Sequence, residues 1–366
     1  MLPKSKDDFV GLTGVCHLAT GGQPPLLKSH AKAYEQFSFD KTRGMAGYAN
    51  HWAMGSVVKQ QLASLTNLTA EDFALIGNAS EGIARVVSSV DWRVGDNTVV
   101  ADVDYASGRF SLARLASMGV ENRVVSADDN FIKIEDLLAA CDARTRLLYI
   151  SHVNAHTGQR IDLKRLSESI DPNIVLLVDA SHSLGVMPVD GNYCDFLVAS
   201  TYKFLLGTHT GVLAWNQRRK KEFNPLSVGW HGGASGLAAN DYNPVRGGQR
   251  AEIGNSNHLD VYMLRTSLDY LAAIPSDALE SYVLDLAGKL RRGLQKLGLP
   301  LLTPESRNNR GPNVSFQHDN PATLVRRAAA DKILLWGEAG RVRASVHVFV
   351  EEDDVDYFLD WMAKYL

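Results

Sequence analysis

Two apolar runs that stop abruptly on polar residues constrain this chain more than any other feature. Ile174-Val-Leu-Leu-Val178 ends on Asp179, and Phe196-Leu-Val-Ala199 ends on Ser200-Thr-Tyr-Lys203. Short apolar runs bounded by polar and glycine residues read as fully buried strands. In an open parallel sheet, ligands bind outside the carboxyl ends of the strands. That rule brings Asp179 and Lys203 to one site.

The pair suits one kind of chemistry. A lysine held out of water has a lowered pKa and forms a Schiff base with an aldehyde. A buried carboxylate at the next strand end keeps a pyridine nitrogen protonated and turns the ring into an electron sink. These are the two requirements of a pyridoxal 5'-phosphate (PLP) site. Singly, Asp179 reads as a turn cap and Lys203 as a solvated loop residue. Together, with Ser181-His182 after the aspartate and Ser200 and Tyr202 before the lysine, they read as a cofactor site.

The segments Asp179-Ala-Ser-His-Ser-Leu-Gly185 and Asp195-Phe-Leu-Val-Ala-Ser-Thr-Tyr-Lys-Phe-Leu-Leu-Gly207, with the Gly-rich stretch beyond, resemble the class V aminotransferases of PLP fold type I. That family includes cysteine desulfurases, kynureninases, an amino-acid epimerase and several C–S lyases. The similarity runs from about Leu18 to the C-terminus. It implies an α/β fold, with a large domain built on a mostly parallel, doubly wound sheet and a small α+β domain. The expected division is an N-terminal arm (1–20) joining the small domain, a PLP-binding domain (21–256) and a C-terminal small domain (257–366).

Composition fits this frame. The 366 residues suggest two domains, and 45% hydrophobic with 22% charged residues is ordinary for a soluble globular protein. A net charge of −3 gives no reason to expect nucleic acid or an anionic membrane as partner. No apolar run suggests a membrane span, and the charged start MLPKSKDDFVG lacks a signal-peptide core. Cys16, Cys141 and Cys194 show neither a metal-ligand spacing nor a disulfide framework. No metal is expected, and a cytoplasmic location is.

The remaining strand ends supply further candidates. Phe73–Ile76 reads as a strand, followed by a Gly/Asn/Ser turn and a helix from Ile83. A helix start suits a phosphate, which nominates Ala79, Ser80 and the backbone N–H of Glu81; Ser80 as a simple N-cap is the competing reading. The run Thr98–Asp104 reads as a strand that ends at Tyr105, whose ring can stack on a pyridine face; Ala106 is the neighbouring alternative. Thr145–Val153 leads to Asn154, a candidate cofactor contact one residue out of step with the desulfurase asparagine, and to His156, a substrate contact or a solvated loop residue.

Within the resemblance, His182 hydrogen-bonds the phenolic oxygen of PLP, and Ser200 and Tyr202 add hydroxyl donors to its phosphate. Gly22, in the Gly-Gly-Gln-Pro-Pro turn, is a close backbone approach to substrate. Trp230 and His231, in a Gly-rich loop, shape the substrate pocket. Asn255 and Ser256 stand where relatives present a turn to the phosphate of a neighbouring subunit, which implies a homodimer. Arg343 corresponds to the arginine that holds the substrate carboxylate through a bidentate fork, with Arg341 as the alternative.

The implied function is that of a PLP enzyme acting on a small α-amino acid through an external aldimine and a Cα carbanion. Desulfurases need a nucleophilic cysteine before the carboxylate arginine, and none lies between Gly311 and Arg343. That places C–S or other C–X cleavage without a protein thiol first, then transamination, then epimerisation. A fold of this type retained for binding without turnover is the non-enzymatic alternative.

Overall fold

The computed structural model describes residues 5–366. In chain order its elements are β1 (Cys16–His17), α1 (His30–Lys41), α2 (Gly44–Thr66), β2 (Phe73–Ile76), α3 (Ala79–Ser88), β3 (Asn97–Ala101), α4 (Ala106–Ala113), β4 (Glu121–Val125), α5 (Ile134–Ala139), β5 (Thr145–Ser151), α6 (Leu163–Ser169), β6 (Val175–Asp179), β7 (Phe196–Ser200) and β8 (Gly211–Trp215). Then follow α7 (His258–Ala272), α8 (Ser276–Lys296), β9 (Asn313–Gln317), α9 (Pro321–Ala330), β10 (Ile333–Leu334), β11 (Trp336–Glu338), β12 (Arg341–Ser345) and α10 (Glu352–Tyr365).

The main sheet has seven strands in the order β2-β8-β7-β6-β5-β3-β4. Strands β7, β6, β5, β3 and β4 pair in parallel, while β8 runs antiparallel to both neighbours. The expected α/β architecture is therefore present. Successive residues of one strand enter opposite cores. Leu176 and Val178 join one apolar cluster, Val175 and Leu177 the other. Burial on both faces explains the unbroken apolar runs in the sequence. Each such side chain contributes about 1.5–3 kcal/mol when fully buried.

Some boundaries differ from the sequence reading. Helix α3 begins at Ala79, four residues before the expected Ile83, because Asn78 caps it by accepting from the Glu81 N–H. Strand β3 ends at Ala101, and a turn carries the chain to Asp104 and Tyr105. The apolar run 333–336 is divided between two sheets. Ile333-Leu334 pairs in parallel with Cys16-His17, whereas Trp336 pairs antiparallel with Arg343.

A second sheet, β11-β12-β9, carries the arginines. Its tight hairpin turns through Ala339 and Gly340, both left-handed at φ 52° and 75°. The N-terminal segment reaches the same region, since Ala19 bridges to Ser345. Among the described residues, no helix is long and apolar enough to cross a membrane.

Candidate active site

Adjacent strands place the central groups. Asp179 is the last residue of β6, and Lys203 follows the end of β7 beside it. Asp179 is clamped on both oxygens. Oδ1 accepts from the Ser181 N–H at 2.8 Å, and Oδ2 accepts from the Tyr149 hydroxyl at 3.2 Å. The Ser181 hydroxyl in turn accepts from the Ser200 N–H at 2.9 Å, tying the two strand ends together. A cavity of about 310 Å³ opens here, lined by Asp179, Lys203, Ser181, Ser200, Tyr202 and Tyr105 among others.

Lys203 is buried, and its pKa falls from 10.5 to about 8. Loss of water is the main cause, the Asp179 charge opposes it, and Arg343 adds to it. Its Nζ stands 3.2 Å from His182 Nε2. Burial first, and then the charges of Lys203 and Arg343, hold His182 far below its ordinary pKa, so the ring is neutral. Asn313 Nδ2 donates to His182 Nδ1 at 3.0 Å. The ring is thus held between Asn313 on one nitrogen and the Lys203 amine on the other.

The opposite end of the cavity is rich in donors. Asn78, Ala79 and Ser80 at the start of α3 line it. The Glu81 N–H, expected to serve a phosphate, is taken by Asn78 Oδ1 at 2.9 Å. Those of Ala79 and Ser80 have no partner among the described residues, as the first turn of a helix leaves them. Ser80 Oγ lies 2.7 Å from Ser107 Oγ. The Tyr105 ring centroid lies 5.3 Å from Lys203 Nζ and that of Tyr202 lies 5.8 Å away, so the amine is flanked by rings.

Arg343 lies in a third quarter. Nη1 donates to the Ala155 carbonyl at 2.8 Å, and Cζ stands 4.7 Å from the Trp336 ring centroid. Its Nε and the neighbouring Ser345 hydroxyl are buried with no partner. Burial and the nearby Arg341 charge lower its pKa to about 9. The backbone approach that leaves this edge open belongs to Gly21, not to Gly22. A Cβ on Gly21 would stand 2.8 Å from Ser345 Oγ and 3.0 Å from Arg343 Nε and Nη2. A Cβ on Gly22 would meet nothing nearer than 3.7 Å.

Other candidates lie outside this cavity. Asn154 is buried, but its Oδ1 accepts from the His156 and Thr157 N–H groups and its Nδ2 donates to the Val103 carbonyl. Its side chain is consumed by the turn. His231 pairs with Glu252 at 2.9 Å and packs on Trp52, while Trp230 is half exposed against the same ring. Asn255 accepts from Tyr48 at 2.7 Å, and with Ser256 it lines an adjacent cavity of about 300 Å³. His209 borders both cavities.

Several site residues escaped the sequence reading. Tyr149 sits inside an apolar run and reads as core, although a buried phenol needs a partner and so carried a signal. Asp104 is fully buried, with Oδ1 accepting from the Ser151 N–H at 3.0 Å and Oδ2 unpaired. Burial, reinforced by the Asp179 charge, raises its pKa to about 7. Asn313 comes from the distant strand β9, and nothing local in its sequence announces it.

The donor set fits PLP. An amine of lowered pKa suits the aldehyde, a doubly held carboxylate suits the ring nitrogen, and free helix-start N–H groups with hydroxyls suit the phosphate.

Known proteins carry the same framework. A probable cysteine desulfurase of Methanothermobacter thermautotrophicus is 26% identical over 323 residues, covering 81% of this chain and 80% of that protein. Isopenicillin N epimerase of Streptomyces clavuligerus is 24% identical, covering 94% of each. The solved structure of the cystine C–S lyase C-DES with its reaction product cysteine persulfide superimposes with a TM-score of 0.89 at 22% identity, over 97% of this chain and 99% of that one. A second structure of C-DES carries glycine covalently linked to its PLP cofactor. These likenesses show the fold. The family model described as aminotransferase class-V matches residues 20–358, and the chain belongs to that family.

Proposed function

We propose that this chain is a PLP enzyme that cleaves a C–S or other C–X bond of an α-amino acid without a thiol of its own. The observation that carries this reading is the convergence of Asp179 and a Lys203 amine of lowered pKa on one cavity, with His182 3.2 Å from that amine and Arg343 within electrostatic reach. When bound, the cofactor supplies an aldehyde for the substrate amine and a ring that accepts electron density. The protein does the rest.

Arg343 holds the α-carboxylate through its open Nε–Nη2 edge, which Gly21 leaves clear. Lys203, neutral above about pH 8, takes the proton from Cα. His182 steers that amine through the contact at its Nε2. Asp179, held on both oxygens by Ser181 and Tyr149, is the carboxylate that would partner the ring nitrogen.

The cysteine inventory supports a thiol-free cleavage. Burial raises the thiol of Cys16 to about 12 and that of Cys141 to about 11, and pushes Cys194 up further. None is a ready nucleophile. A homodimer is part of the same proposal, since Asn255 and Ser256 line a cavity next to the Lys203 site, where a second copy would meet them.

The test is the absorption spectrum of the purified protein with PLP, before and after addition of S-substituted cysteines. A visible band that disappears in Lys203→Ala, with pyruvate and ammonia released, is the expected result. Conversion to the pyridoxamine form selects a transaminase instead. Absence of any band with added PLP overturns the reading.

A further inference from the structure

Arg343 is not alone. Arg341 lies two residues earlier on β12, so both side chains leave the same face of the strand. Both guanidinium groups stand over the Trp336 ring, with Cζ 5.1 Å from its centroid for Arg341 and 4.7 Å for Arg343. Arg109 belongs to helix α4. It lies one helical turn beyond Tyr105, which lines the Lys203 cavity.

The charges of all three arginines act on His156. Burial first, and then the charges of Arg341, Arg109 and Arg343, lower its pKa to about 3, so the imidazole is neutral. Each of the three has a buried Nε without a hydrogen-bond partner. No carboxylate of the described residues forms an ion pair with any of them. Glu338, across the hairpin from Arg341, acts on it only at a distance and is itself exposed.

Arg343 is buried and Arg109 and Arg341 are half-buried, and guanidinium groups gathered without counter-charges repel one another. One α-carboxylate satisfies Arg343 and leaves two charges over. We infer that the amino acid taken by this site carries a second anionic group at the end of its side chain, held by Arg109 and Arg341 beside His156. The chemical class is an amino acid with a terminal carboxylate or a sulfur oxyanion. The inference rests on the proposed function, which places the α-carboxylate on Arg343.

The test titrates the PLP-loaded protein with anionic amino acids and their uncharged counterparts, following the cofactor absorption. The probes are L-aspartate against L-asparagine, L-glutamate against L-glutamine, and L-cysteate, with L-alanine as the neutral reference. At least one anionic amino acid should bind about ten- to a hundredfold more tightly than its counterpart, the range of one or two charge-assisted hydrogen bonds. Arg109→Gln and Arg341→Gln should each reduce that preference several-fold, while the charge-keeping Arg341→Lys retains part of it. Equal binding of the charged and amide forms overturns the inference and leaves the proposed function standing. So does a preference that survives both Gln variants. A loaded protein that answers no amino acid, alanine included, overturns both.

Discussion

The phenol of Tyr149 donates to Asp179 Oδ2 at 3.2 Å, from inside a sheet where its ring is fully buried. The contact gives Asp179 its second partner and leaves its orientation no freedom. Tyr149→Phe keeps the ring and removes only the donor. Loss of one buried hydrogen bond should lower stability by about 1–3 kcal/mol. Urea unfolding of the cofactor-free protein measures this, and an unchanged midpoint would show that water replaces the phenol.

Lys203 makes cofactor capture dependent on pH. Its neutral amine is the attacking form, and its folded pKa of about 8 lies well below 10.5. The rate of PLP capture by the cofactor-free protein should therefore climb as pH rises through about 8 and then level off. Stopped-flow absorbance reads it directly. A climb that continues toward pH 10 would mean the amine is as wet as a surface lysine.

Neighbouring glycines should separate cleanly. Gly21→Ala brings a methyl group to 2.8 Å from Ser345 Oγ and 3.0 Å from the open edge of Arg343. The cost of forced repacking is about 1–3 kcal/mol, and KM for the amino acid should rise because the carboxylate has lost its place. Gly22→Ala has ordinary contacts at 3.7 Å and should change neither. Steady-state kinetics of the two variants side by side decide it.

Asp104 should make stability fall toward alkaline pH. Its folded pKa of about 7 lies above the ordinary 3.8, so its neutral form is the favoured one in the fold. That stabilisation is complete below about pH 4 and is lost as pH rises through about 7. The shift corresponds to roughly 4 kcal/mol at most, at about 1.4 kcal/mol per unit. Asp104→Asn should flatten the difference between unfolding free energies at pH 5 and pH 8.

How much of this was legible in the sequence depends on where each group's partners lie. Asp179 and Lys203 could be placed together because a strand end and its neighbour obey a topological rule that needs no side-chain detail. The start of α3 was misjudged because Asn78 outranks Ser80 as a cap, which moves the free N–H groups onto Ala79 and Ser80. Gly21 and Gly22 are indistinguishable until Arg343 arrives from the far end of the chain. Asn154, Trp230 and His231 have neighbours of their own choosing, a turn in one case and the Trp52–Glu252 cluster in the others. Tyr149 looked like core because an apolar run hides a hydroxyl.

The pairing of Cys16-His17 with Ile333-Leu334, and of Ala19 with Ser345, has a consequence for synthesis on the ribosome. The Lys203 pocket is encoded in the middle of the chain and can be assembled as soon as β8 has emerged. The clamp between Gly21 and Arg343 joins segments far apart in the chain, and it cannot close until β12 has emerged. A chain made at about 5–20 residues per second thus spends several seconds with an amine-bearing pocket already built and its proposed substrate grip still missing. The emergence of β12 is what turns a reactive cavity into a selective one.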